Sequence, residues 1–229
     1  MKIVDKILED GEYYKEVCEK DTLYIHHTAG GHRPDWTIDG WERDKSKSGG
    51  ILPVGTAYVI GGISTSDKMA LYDGLIYRAF DDKYWAHHLG LEVVNNKLLN
   101  QKSVAIEICN YGPLTKTKDG VFLNYVNKAV PPEMVEELST PFRTFKYYHK
   151  YTDKQLIALK ELMQDIAQRH PKIDLKKGLQ LFINQGAAAL DINQGAVKGV
   201  PGLWSHTNVR KDKFDVWPQT QLIDLIKQL

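Results

Sequence analysis

The chain has 229 residues, 42% of them apolar and 26% charged, which fits an ordinary globular protein long enough to bury a real core. A net charge of +1 gives no global field for nucleic acid. Two cysteines, Cys18 and Cys109, make no disulfide framework, and Asp5, Lys6, Glu9 and Asp10 interrupt any N-terminal apolar run, so neither a signal peptide nor a membrane anchor is expected.

Residues 1–20 are amphipathic and predict a helical start. Thr22 to Thr28 (TLYIHHT) is apolar, β-branched and aromatic, and reads as a buried strand ending on His26 and His27. Pro34 and Asp35 open a helix through Trp36, Ile38 and Trp41, with Asp35 as its expected N-cap. Residues 45–55 read as a loop. Thr56 to Ile60 predicts a second strand, and Leu71 to Phe80 a hairpin turning at Asp73-Gly74. Residues 81–102 are loop-like and carry Trp85, His87 and His88. Ser103 to Asn110 is again a strand. Its alternation puts Ser103, Ala105, Glu107 and Cys109 on one face.

From Tyr111 to Lys150 the pattern loosens into scattered aromatics. Phe122, Tyr125 and Phe142 are expected to close a small satellite core, the alternative being that the aromatics of this region, with Trp85, wall a ligand groove. Thr152-Asp-Lys-Gln155 is a capping box, and it opens the clearest helix, with Leu156, Leu159, Leu162, Met163 and Ile166 on one face. That helix should end near His170-Pro171. Residues 174–200 contain INQGA twice, too little for a repeat architecture. Gln219 to Leu229 reads as a closing helix. Strands mixed with helices, and no polar linker, predict one α/β layered domain over residues 1–229.

The chemistry concentrates between Trp204 and Pro218, where His206, Lys213 and Asp215 lie within ten residues. In an extended segment Lys213 and Asp215 point to the same side. A catalytic zinc takes three protein ligands and keeps one open position. The missing third ligand is sought in IHHT, where alternation lets only one of His26 and His27 reach a common site. From pattern alone, a core imidazole bonded to backbone is an equal reading. A carboxylate on the apolar strand of Glu107 is costly to bury unpaired, so Glu107 either does chemistry or faces solvent. Lys213 is either an oxyanion stabiliser or a solvated lysine.

IHHTAG, VGTAYVI, DGLIYR, AHHLG, SVAIEICN, YTDKQ and SHTNVRKDKFDVWP occur in the order in which similar segments occur in the zinc-dependent N-acetylmuramoyl-L-alanine amidases. The chain resembles that family over roughly residues 20–110, 151–173 and 200–220. The resemblance implies a mixed central β-sheet flanked by helices, the fold of phage lysozyme-like amidases and peptidoglycan-recognition proteins. Two insertions, about 111–150 and 174–200, would interrupt it. It implies Zn2+ on His26, His206 and Asp215, with Asp212 a rival for the last place. Glu107 would be the catalytic glutamate, with Lys213 beside it as a second catalytic group and His27 a neighbour rather than a ligand.

His88, Trp85 and Thr56 are expected to meet substrate. Thr56-Ala57 stands where relatives often carry Tyr or a Ser/Ala-His pair, and Tyr58 should point to the opposite face. The implied partner is peptidoglycan or its fragments, acted on at the cell wall, or in the cytoplasm if the enzyme recycles fragments. The oligomeric state is open, with a monomer as the default. A peptidoglycan-binding module without activity and a zinc peptidase acting within the stem peptide are the competing functions.

Overall fold

The computed structural model describes residues 1–46, 48–92 and 95–229. Its first strands are β1 (Ile3–Asp5), β2 (Thr22–His27), β3 (Tyr58–Ile60), β4 (Ile76–Arg78) and β5 (Ser103–Ile108), with helices α1 (Pro34–Arg43) and α2 (Asn96–Lys102) between them. A run of strands follows: β6 (Pro113–Lys116), β7 (Phe122–Leu123), β8 (Ala129–Val130), β9 (Val135–Phe142) and β10 (Phe145–His149). The chain closes through α3 (Asp153–Arg169), α4 (Leu179–Phe182), α5 (Gln194–Lys198), β11 (Gly202–Ser205) and α6 (Thr220–Lys227).

Six strands form a mixed central sheet in the order β1-β4-β3-β5-β2-β11. Every residue of β2 is buried, and so is every residue of β5 except Glu107, as the continuous apolar runs require of strands covered on both faces. β11, β2, β5 and β3 run parallel, so their C-terminal ends share one edge. Pairing places His26 opposite Glu107, and β11 delivers the chain to His206 at the same edge. Ligands of parallel sheets gather at this edge because the strands stop there and the loops diverge.

Helix α3 begins as its sequence requires. The Thr152 side chain accepts from the Gln155 N–H, and the Gln155 side chain accepts from the Thr152 N–H. Its predicted stripe of Leu156, Leu159, Leu162, Met163 and Ile166 is buried, each side chain contributing roughly 1.5–3 kcal/mol of apolar burial. Among the described residues, no helix is long and apolar enough to cross a membrane.

Five expectations are corrected. Residues 1–20 are not helical: β1 pairs parallel with β4, and Leu8, Tyr14 and Cys18 bond to the backbone of residues 79–85, so sheet-edge pairing overrides an amphipathic pattern interrupted at Gly11. Residues 71–80 form no hairpin of their own, because β4 pairs antiparallel with β3 and the Asp73-Gly74 turn only leads into it. Asp35 is not an N-cap; Arg33 holds that place, Pro34 begins the helix, and Asp35 pairs back to Arg33. The loop expected over 81–102 ends in the helix α2.

The largest difference lies in residues 113–149, which build a second, antiparallel sheet in the order β8-β7-β6-β10-β9. Its own core is Leu114, Val130 and Val135, with Phe122 and Tyr147 packed on it. Phe142 instead joins the main core, and Tyr125 is 66% exposed. The two INQGA segments adopt different structures. The first starts a 3₁₀ segment at Ile183, and the second runs into α5, where Asn193 caps Gly195.

Candidate active site

A cleft of about 600 Å³ opens at the C-terminal edge of the central sheet. His26, His27, Thr56, His88, Glu107, His206, Lys213 and Asp215 all line it. Trp85 does not. It is 2% exposed, its ring stacks on Tyr14 at 4.0 Å, and its Nε1–H donates to Glu16, so the expectation that it walls a substrate groove is corrected. The aromatic walls come instead from Trp41 and from Tyr111, Tyr125, Phe145 and Phe214.

Three buried ligand atoms converge in the cleft. His26 Nδ1 lies 3.0 Å from His206 Nδ1 and 3.3 Å from Asp215 Oδ2, and His206 Nδ1 lies 2.9 Å from the same oxygen. Tetrahedral ligands about 2.0–2.1 Å from a zinc ion stand roughly 3.3 Å from each other, close to this spacing. His27 is not part of the trio, as alternation along β2 requires. Its Nδ1 pairs with the Tyr151 hydroxyl at 2.8 Å. Asp212, the rival carboxylate, also lines the cleft but is not one of the three converging ligands, and Arg210 Nε holds it at 2.9 Å.

The surrounding hydrogen bonds fix which way the imidazoles carry their protons. The Ser103 hydroxyl donates to the Leu99 carbonyl at 2.8 Å, so its oxygen accepts from His88 Nε2–H, also at 2.8 Å. His88 Nδ1 is then the acceptor for His26 Nε2–H at 3.1 Å, which leaves His26 Nδ1 as a bare lone pair. His206 Nε2–H donates to the Leu89 carbonyl at 3.0 Å, which leaves its Nδ1 bare as well. Two lone pairs and a carboxylate oxygen therefore face one another with no hydrogen between them. Such a donor set repels itself unless a cation or an extra proton sits among the three atoms. Burial opposes the proton: it pushes His26 down to about 4, with His206 adding to the effect. The donor set fits a divalent cation such as zinc.

Both ring nitrogens of His88 are engaged in this relay, so it orients His26 instead of offering a free nitrogen to substrate. Thr56 lines the cleft with its hydroxyl bonded to the Tyr58 carbonyl at 2.9 Å. Tyr58 points the other way, to Asp82 at 2.9 Å. Glu107 Oε2 is buried and meets no hydrogen-bonding group among the described residues. Burial first and the Asp215 charge second push its carboxyl well above the usual range, against a pull from Lys213.

Sequence reasoning missed Ser103 as the anchor of the relay, although alternation had put it on the face of Glu107. It also missed Tyr151, one residue before the capping box.

The sequence model of the N-acetylmuramoyl-L-alanine amidase family matches residues 18–189. No curated protein sequence matches the chain. A mutant of PlyL is similar in structure over 100% of both chains, at 8% identity and a TM-score of 0.50, and its likeness is one of fold. AmiD from E. coli, solved with the substrate anhydro-N-acetylmuramic acid-L-Ala-D-gamma-Glu-L-Lys, covers 68% of this chain and 46% of its own at 17% identity and a TM-score of 0.39. AmpDh3 from Pseudomonas aeruginosa, solved with an anhydromuramic pentapeptide, covers 74% and 54% at 22% identity and a TM-score of 0.41. With the family's pattern running through three quarters of its length, and an enzyme's cleft at the edge where its parallel strands end, this chain belongs to the N-acetylmuramoyl-L-alanine amidases.

Proposed function

We propose that the protein hydrolyses the amide between the lactyl group of N-acetylmuramic acid and the L-alanine of the stem peptide, in peptidoglycan or its fragments, with one zinc ion. The observation that carries this reading is the set of three buried lone-pair donors, 2.9–3.3 Å apart, in one cleft with an unpaired carboxyl. His26, His206 and Asp215 would hold the ion. Bound there, zinc supplies Lewis acidity toward the scissile carbonyl and toward a nucleophilic water.

The chain's own groups do the rest. Glu107 takes a proton from the attacking water and returns it to the leaving amine of L-alanine, a role worth about 10²–10⁴-fold in rate. Lys213 donates from its ammonium to the oxyanion that forms on the carbonyl. His88 and Ser103 keep His26 in the one tautomer that can ligate. Trp41, Tyr111 and Phe145 give the cleft apolar walls that narrow the path of bulk water.

The test is mass spectrometry of purified cell wall digested by the zinc-loaded protein and by the same protein after chelation. Intact stem peptides with a free L-alanine amine are expected from the first sample only. Cut glycan strands or shortened peptides would overturn the assigned bond. Equal activity after complete metal removal would overturn the zinc.

A further inference from the structure

Arg143 stands at the tip of the β9–β10 hairpin, in the second, antiparallel sheet. Phe142 pairs with Phe145, so Arg143 and Thr144 are the two residues of the turn. Both have positive φ, 48° and 75°. Such a turn favours Asn-Gly, and a β-branched residue in that region is strained. A sequence chosen for the turn alone would not place Arg-Thr here.

The Arg143 side chain, only 8% exposed, shows what the turn supports. Its Nη1 donates to the carbonyls of Arg210 and Lys211, both at 2.6 Å, and of Lys213 at 3.0 Å. Its Nη2 donates to the Thr207 carbonyl at 2.7 Å and to Asp191 Oδ1 at 2.9 Å. The Thr207 N–H in turn donates to the Asp215 carbonyl at 3.0 Å. One guanidinium thus ties down the peptide that follows His206, the peptide of Lys213, and, through Thr207, the peptide of Asp215. The Phe145 ring meets Phe214 edge-on at 5.2 Å and grips the same loop from the side. The segment before α5 joins in, because Asn208 Nδ2 donates to the carbonyls of Ala189 and Asp191. A loop of turns with no regular ladder of its own is held in shape by groups from the second sheet and from the segment before α5.

We propose that Arg143 is a positioning residue for the catalytic loop. It presets the His206–Asp215 spacing and the Lys213 backbone, so that the second sheet is a structural part of the site. The proposal rests on the reading of His26, His206 and Asp215 as holding zinc. Planar five-donor geometry explains why arginine is used, since a lysine ammonium offers three donors from one point.

Zinc affinity by chelator competition, melting of the metal-free protein, and kcat and KM at saturating zinc should be measured for the parent chain, Arg143→Ala, Arg143→Lys and Asp191→Asn. For Arg143→Ala, zinc binding about 10–100-fold weaker is expected, the range seen when groups that orient ligands are removed. At saturating zinc, kcat should fall while KM stays within about twofold, because it is the loop bearing Lys213 that shifts. Arg143→Lys should fall between the parent and Arg143→Ala, and Asp191→Asn near the parent. Zinc affinity and kcat unchanged in both Arg143 variants, with only the melting point lowered, would leave Arg143 a purely structural residue and overturn the proposal. If Arg143→Ala does not fold, Arg143→Lys decides by the same two readouts. A parent chain that binds no zinc would instead overturn the metal reading itself.

Discussion

Gly112→Ala is the sharpest test of how the cleft is built, because its cost is readable from the structure. Gly112 has φ +70°, and a Cβ there would lie 2.4 Å from His27 Nε2 and 2.9 Å from His27 Cε1. Neither side can yield cheaply. The Gly112 N–H donates to Asn110 Oδ1 at 2.7 Å, the Gly112 carbonyl accepts from the His149 N–H at 2.9 Å, and His27 is pinned by Tyr151 at 2.8 Å. A left-handed L-residue costs about 1–2 kcal/mol and forced overpacking about 1–3 kcal/mol more, so a loss of about 3 kcal/mol is expected. Gly120 isolates the two effects, since its φ is +84° but a Cβ there meets nothing within 4 Å. Gly120→Ala should therefore cost about 1 kcal/mol. At about 2–4 °C per kcal/mol for a chain of this size, melting followed by circular dichroism should drop about 6–12 °C for Gly112→Ala and about 2–4 °C for Gly120→Ala. Equal drops for the two variants would mean that the His27 contact carries no cost, and the packing argument for the cleft floor would fail.

Glu107→Gln keeps the shape of the side chain and removes its proton traffic; it should still bind zinc while kcat falls about 10²–10⁴-fold, and an unchanged kcat would show that another group moves the proton. Away from the cleft, burial pushes the Asp82 carboxyl up, but His170 and Arg169 outweigh it and hold it at about 2. A folded-state value below the unfolded one stabilises the fold above about pH 4, and that stability is lost as pH falls toward about 2. The full shift corresponds to about 2 kcal/mol, reduced toward about 1 kcal/mol because the Arg169 partner is 39% exposed. Urea unfolding from pH 5 to 2 should show the parent losing this much relative to Asp82→Asn; parallel curves would refute the linkage.

Much of the site was legible because its residues sit on strands that announce themselves. TLYIHH and SVAIEI are rich in apolar, β-branched and aromatic residues, as a central parallel strand buried on both faces requires. The Thr152 capping box and the stripe behind it are local signals, and α3 follows them. The second sheet was not legible. β9 reads VEELSTPF, mostly outside the core, and its turn is made by Arg143 and Thr144, which no turn preference would select. Trp85 was misread for a related reason: the ring that covers it belongs to Tyr14, far away in the chain.

The sequence by itself determined which chemical groups were available and which face of its strand each would take. Alternation along β2 separates His26 from His27, and alternation along β5 puts Glu107 with Ser103, whatever surrounds them. Only the tertiary structure decided which nitrogen of each imidazole is bare, which of Asp212 and Asp215 meets the two imidazoles, and whether an aromatic ring meets solvent. Those outcomes depend on partners such as Ser103 with His88, Leu89 with His206, and Arg143 with the closing loop. A hydrogen bond between groups distant in the chain exists only after folding has brought them within 3 Å or so, and no local preference encodes it.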